Sequence, residues 1–226
     1  MKPEALPDTR TRILDAAERL FTEHGFEGTS MRQITGEAGV NLAAANYHFG
    51  SKDALLEAVF KRRLAWLNSE RLRVLSEMEA EAGQQPLKPS QIVDAFFGTL
   101  LRMGTRQELG GETFLRLLGR SRGNPNNLLH SLLAAEYDEV LTRFRDALYL
   151  ALPEVPKVEI IWRLHFMLGA TAYAIAGTDS LDAATDWQIP PGEQARQEEL
   201  LLPRLMSFLL GGLRAPLADI RPEAPH

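Results

Sequence analysis

Ser30-Met31-Arg32-Gln33-Ile34-Thr35-Gly36-Glu37-Ala38-Gly39-Val40-Asn41-Leu42-Ala43-Ala44-Ala45-Asn46-Tyr47-His48-Phe49 decides the fold. Ser30 stands three residues before Gln33, the spacing of a reciprocal cap that satisfies the free amides at a helix start. Gly39 follows the last helical residue and can take the left-handed conformation that stops a helix in one step. Val40 can plug inward, and Asn41 can cap a second helix over Leu42 to Phe49. Helix, three-residue turn, helix is the layout of a DNA-reading unit. The same layout also serves as a plain packing unit in all-α proteins, and spacing alone leaves both readings open.

The composition of the second helix separates them. At about 100° per residue, Leu42, Ala45 and Phe49 share one side, expected to pack on Ile34 and Ala38. Ala43, Ala44 and Tyr47 fall opposite, with Asn46 and His48 on the flanks. That outward side carries two alanines and neither Lys nor Glu, which is unusual for a face meant only for water. Small side chains let a backbone approach the floor of the major groove, and an alanine methyl can touch a thymine methyl. Tyr47 and His48 are long enough to reach phosphates.

Ser51-Lys52-Asp53 then caps a fourth helix, with Lys52 in a first turn whose free amides already attract a phosphate. This helix is expected to run to about Ala82 and to carry the change of domain. Beyond it, helical spacing continues, as at Leu128, Leu132, Leu133 and Val140, broken by Gly and Pro clusters. Nothing alternates with period two. The expectation is an all-α chain of about nine helices: a three-helix helix-turn-helix domain over residues 1–51, a helical ligand-binding and dimerisation domain over 52–214, and a flexible tail over 215–226.

Composition narrows the class. The 226 residues hold no cysteine, which removes disulfides, thiolate nucleophiles and Cys-type zinc sites and suits a reducing cytoplasm. The N-terminal residues do not read as a signal peptide. The apolar stretch 166–177 is too short to cross a bilayer, so no membrane role is expected. Net charge is -5, yet Met1 to Ala65 holds nine of the 25 basic and nine of the 30 acidic residues, so the whole excess of acid lies beyond it. A neutral reading module must focus its positive charge on chosen phosphates.

Residues Ile13 to Phe60 resemble the N-terminal domain of TetR-family repressors. The resemblance rests on Ile13-Leu14-Asp15-Ala16-Ala17-Glu18-Arg19-Leu20-Phe21, Gly25-Phe26, Thr29-Ser30-Met31, Ile34, Ala38-Gly39-Val40, His48-Phe49 and Ser51-Lys52-Asp53-Ala54-Leu55. It implies that Ser30 and Arg32, the outward face of the reading helix (Asn41, Ala43, Ala44, Asn46, Tyr47, His48) and Lys52 meet double-stranded operator DNA. One position departs: where the family usually has Tyr three residues before the Phe, this chain has Asn46, with Tyr47 beside it.

The resemblance also implies a variable C-terminal domain that holds an inducer and dimerises through its last two long helices. Gly169, Ala170 and Ala174 permit close helix contact, and Leu201, Leu205, Phe208 and Leu209 form an apolar partner segment. For the ligand, Phe97, Leu100, Met103, Phe114, Leu117, Trp162, Phe166 and Tyr173 can line a cavity, with Arg116 and His165 as polar groups; such stripes are also common as plain core. Arg163 is a further polar group in an apolar neighbourhood; a carboxylate or phosphate ligand is a natural partner for these groups, and equally Glu112, Glu136 or Glu159 can pair with them. The runs Asn41 to Lys52 and Trp162 to Ala170 resemble the PsrA-like subgroup linked to fatty-acid metabolism, which implies a long-chain fatty acid or its acyl thioester as inducer.

Rival classes fare worse. Gly119-Arg120-Ser121-Arg122-Gly123 matches the G-x-S-x-G string of serine hydrolases, but that motif works only after a strand, and none is expected there. The five histidines never fall at a metal-ligand spacing. Neither a catalytic constellation nor a cofactor is expected. A helical interaction module without DNA binding is the remaining alternative, and it leaves Ala43, Ala44 and Tyr47 unexplained.

Overall fold

A computed structural model describes residues 8–104, 114–115, 127–176 and 197–217. Among them the chain is all-helical. It runs α1 (Thr9–His24), α2 (Met31–Ala38), α3 (Leu42–Phe49), α4 (Lys52–Ala82), α5 (Pro89–Val93), a π-helical turn (Asp94–Gly98), α6 (Thr99–Gly104), α7 (Asn127–Ala151), α8 (Lys157–Ala176) and α9 (Gln197–Leu213). The segment from Pro89 to Gly104 is continuous, so these are eight helical rods against the nine or so expected. None of the described helices is long and apolar enough to cross a membrane.

Each short helix begins where its cap dictates. The Asp8 carboxylate accepts from Thr11 N at 2.6 Å, Asn41 Oδ1 from Ala44 N at 2.8 Å and Ser51 Oγ from Ala54 N at 3.1 Å. Ser30 and Gln33 form the expected reciprocal pair. Such a cap contributes about 1 kcal/mol. Gly39 stops α2 at φ 63°, ψ 38°, and the turn it makes is clamped from outside: Arg12 Nη2 donates to Ala38 O at 2.5 Å and Gly39 O at 2.9 Å. The left-handed dihedral favours glycine, and a Cβ at Gly39 would stand 2.8 Å from that nitrogen, so a larger residue would also displace the end of the Arg12 side chain.

Two apolar clusters fill the interior. The first joins Ile13, Ala17 and Phe21 of α1, Ile34 of α2, Ala45 of α3 and Leu55, Val59, Phe60, Leu64 and Leu67 of α4 to Leu100, Met103 and Phe114. The second joins Leu75 of α4 to Phe96, Phe97, Phe144, Ile160, Met167 and the inward leucines of α9. Tyr137 and Ile175 pack against both. The first core therefore does not end at residue 51, because α4 supplies five of its members and the 100–114 segment three more.

Salt links weld α4 to the reading unit. Glu18, 3 % exposed, receives Arg62 Nη2 at 2.7 Å and Arg63 Nε at 2.8 Å. At the other end of the molecule Arg163, 6 % exposed, donates to Glu159 at 3.0 Å, Leu213 O at 2.5 Å and Ala215 O at 2.8 Å. It closes the C-terminus of α9, whose last carbonyls have no helical partner. Of the two arrangements open to Arg163 in the sequence, the pairing with Glu159 is the one present, and its guanidinium is taken up by structure.

Candidate nucleic-acid interface and effector domain

α3 is set by its neighbours: Ala45 is its buried residue, packed in the first core. Around that anchor Ala43, Asn46, Tyr47 and His48 are exposed and Ala44 is half-buried. Tyr47 is 86 % exposed, with His48 edge-on to its ring at 5.4 Å. Ser30 and Arg32, at the start of α2, and Asn41 are exposed as well. Leu42 departs from the expected inward side, being 36 % exposed.

Lys52 is placed differently from a free phosphate clamp. Its ammonium donates to Phe26 O at 2.9 Å and Thr29 O at 3.1 Å and lies 4.1 Å from the centre of the Phe26 ring. It ties the start of α4 to the loop between α1 and α2, thereby fixing the level at which α2 and α3 are presented. A cation that sequence reasoning missed stands nearby: the Arg10 guanidinium lies 5.4 Å from the Phe49 ring and Arg10 is exposed. Its position in the first turn of α1 gave no hint that α1 begins beside the end of α3.

The expected effector residues divide. Phe97, Leu100, Met103 and Phe114 are buried, but in two different clusters, Phe97 in the second and the other three in the first. Arg116 and Leu117 lie outside the described residues, as does the 119–123 string. Trp162, His165, Phe166 and Tyr173 do not line the interior: all four are on the outer side of α8 and exposed. The reason is rotational. Ile160, Leu164 and Met167 take the inward stripe of α8, and the aromatics fall on the opposite one.

That outer stripe is continuous. Trp162 is 54 %, Phe166 63 % and Tyr173 55 % exposed, and Trp162 and Phe166 stack at 5.7 Å. Gly169 lies within the stripe and is exposed, with Ala170 and Ala174 half-buried at its edge. On α9, which packs against α8, Phe208 is 68 % exposed and Gly211 and Gly212 follow it at the surface. Of the other α9 residues expected at a dimer face, Leu201 is half-buried, whereas Leu205 and Leu209 turn inward into the second core. An apolar face of this size on two adjacent helices is a liability in a monomer.

Sequence reasoning also missed Arg71. It is 1 % exposed, with Nε donating to Phe96 O at 2.9 Å and Nη1 to Asn68 Oδ1 at 3.2 Å. Its guanidinium sits 3.8 Å from the Phe96 ring centre and 5.5 Å from that of Tyr137. Burial pushes its pKa down, opposed by the Tyr137 side chain.

Comparison with known proteins agrees with this architecture. Residues 13–59 match the family described as bacterial regulatory proteins, tetR family, and residues 94–212 match the tetracyclin repressor-like C-terminal domain. The HTH-type transcriptional regulator UidR of Escherichia coli strain K12 is 44 % identical over 59 residues, which is 26 % of this chain and 30 % of that protein. The likeness to it thus spans under a third of its length. Among solved structures, the fatty acid degradation regulator FadR from Bacillus halodurans aligns with a TM-score of 0.63 at 16 % identity, covering 94 % of this chain and all of that one. Salmonella enterica GusR aligns with a TM-score of 0.56 at 20 % identity, covering 95 % of this chain and all of the other. At these identities the structural likeness speaks for the fold.

Proposed function

Because the chain belongs to the TetR family of bacterial regulatory proteins, we propose that it is a homodimeric, cytoplasmic one-component repressor that leaves a palindromic operator when a small acyl ligand occupies its C-terminal domain. The observation that carries this reading is the outward face of α3. It presents Ala43, Asn46, Tyr47 and His48 to solvent with no carboxylate among them. A polyanion meets there hydrogen-bonding groups, small side chains and no repelling charge.

The reading assigns roles to the exposed residues. Tyr47 and His48 hold phosphates, Asn46 reads a base edge or a phosphate, and Arg32 and Ser30 touch the backbone from the start of α2. Arg10 adds a cation beside the end of α3. Lys52 contributes by positioning α2 and α3 through the Phe26 and Thr29 carbonyls. The α8–α9 face, with Trp162, Phe166, Tyr173 and Phe208, meets the same face of a second copy, which sets two reading helices one DNA turn apart, ~34 to 36 Å.

Release is a shift between two dimer states. α4 is the lever, since its first half is welded to α1 through Glu18 and its second half lies in the effector core. A long-chain fatty acid or its thioester is the ligand proposed for that core, whose apolar members include Phe96, Phe97 and Leu101. The resemblance to the PsrA-like subgroup supports the same ligand class.

The test is fluorescence anisotropy of the purified protein on DNA upstream of its own gene, at two salt concentrations. Selective, saturable binding is expected, with affinity reduced at least ~10-fold by Tyr47→Ala. Trp162→Asp with Phe166→Asp should give a monomer that no longer holds the operator. Unaltered affinity in Tyr47→Ala would move the DNA contact away from the outward face of α3, and no selective binding by the wild type would favour a helical interaction module.

A further inference from the structure

Among the described residues no carboxylate pairs with Arg71. Its partners are a backbone carbonyl, an amide oxygen and a tyrosine side chain, all of them neutral. The contrast is local, for Arg62, Arg63, Arg73, Arg102, Arg143, Arg145 and Arg163 each meet an acid. An arginine keeps its charge at any physiological pH. A cation withdrawn from water without a counter-charge is expensive, and buried charges are ordinarily paired.

The surroundings are built to hold that group still. Phe96 and Tyr137 offer ring faces to the guanidinium, which fixes the plane of its fork. Phe96 belongs to the π-helical turn Asp94–Gly98, an irregularity that interrupts the rod between α5 and α6 and recurs at functional sites. Tyr137 is one of the two residues at which the two cores meet. The second, Ile175, lies one turn beyond Thr171 on α8. Thr171 is 3 % exposed and its hydroxyl has no partner among the described residues.

We propose that Arg71 is the charge anchor of the effector site and takes the carboxylate of a fatty-acid ligand, whose chain lies among the aromatics of the second core. This deepens the regulator reading given above and rests on it. Arg71 sits on α4, so neutralising its charge acts directly on the helix that also carries Arg62, Arg63 and Lys52. The anchor therefore couples ligand charge to the posture of the reading unit, and a ligand of equal length without the charge binds weakly.

The experiment uses the purified full-length protein and three probes: dodecanoate, its methyl ester and dodecanoyl-coenzyme A, with calorimetry for affinity and operator anisotropy for release. The expected result is that dodecanoate binds at least ~10-fold more tightly than the ester. Arg71→Met should erase that preference, and Arg71→Lys should keep part of it. Tyr137→Phe, which keeps the ring, should weaken the preference by a few-fold and guards against a misfolded Arg71→Met. A purely structural Arg71 would alter stability and leave the acid-to-ester ratio where it was.

Equal affinity for acid and ester, tighter binding of the thioester than of the free acid, no binding of any probe, or a preference that survives Arg71→Met would each overturn the anchor. If the ester alone releases operator, the regulator reading stands and the anchor falls. If the unliganded wild type holds no operator at all, the regulator reading falls, and the acid-to-ester ratio still decides the anchor.

Discussion

In its first half α4 sets Arg62 and Arg63 against Glu18 of α1; about two turns further on it buries Arg71 among Phe96, Asn68 and Tyr137. One helix thus withdraws positive charge from water twice, roughly 12 Å apart along its axis. In the first place the charge is balanced by Glu18 at 2.7 and 2.8 Å and by Asp15 at 2.7 Å, and in the second, among the described residues, by neutral oxygens and ring faces. The balanced site can do little besides hold two elements together. The difference teaches that α4 is tied to the reading unit through a paired charge, whereas in the effector half it carries a buried charge with no acid beside it among the described residues.

The sharpest way to break that comparison is Glu18→Ala. Glu18 is buried, while the two arginines keep part of their hydration, so the loss is expected near the lower limit for a broken buried pair, about 3 kcal/mol. For a chain of this length that lowers Tm by about 6 to 12 °C, read by calorimetry. A change below about 1 kcal/mol would mean that water replaces the carboxylate and the weld is illusory.

Arg71→Met should do less. Losing three polar contacts is offset by removing an unbalanced charge from an apolar core, so the net change is expected within about 1.5 kcal/mol in either direction, measured by urea unfolding. A loss as large as that of Glu18→Ala would make Arg71 a strut of the fold. Ser30→Ala gives the scale for an ordinary local interaction: about 1 kcal/mol, with amide exchange speeding up at Gln33. If Ser30→Ala exceeded Glu18→Ala, the reading unit would be held by its caps and not by its charges.

The smallest effect concerns Asp8. The Thr11 amide holds its carboxyl below the usual carboxylate range. A group whose pKa is depressed by folding adds stability above its unfolded value, and that stability disappears as pH falls through the folded one. The first turn of α1 should therefore stay closed at neutral pH and begin to fray only below pH ~4, seen as faster exchange at Thr11. Fraying at pH 6 would show that the cap is not made in solution.

The helix-turn-helix was legible because its signals are local. Ser30 with Gln33, Gly39, Asn41 and Ser51 each specify a boundary from within three or four residues, and Ala45 against Ala43 and Tyr47 fixes the face of α3. The effector half was not legible because its helices are apolar on more than one side. In α8 the sequence offers Ile160, Leu164 and Met167 on one stripe and Trp162, Phe166 and Tyr173 on another, and only packing decides which is inside. In α9 the same ambiguity separates Leu205 and Leu209 from Phe208. Arg71 was hidden for a related reason. It stands next to Glu70, which pairs with Arg73 at 2.7 Å, and nothing in the run says that Arg71 turns inward while Arg73 does not.

The rings of Phe60 and Phe114 meet at 6.1 Å, and this matters for how such a molecule can be recombined. A hybrid regulator joined at residue 51 would carry Leu55, Val59 and Phe60 on the wrong side of the seam, against a foreign surface that never matched them. A join after residue 82 would still separate Phe60 from Phe114, Leu100 and Met103. Transplanting this DNA specificity onto another sensor therefore means moving the 100–114 segment with it, or re-choosing both aromatic partners at once.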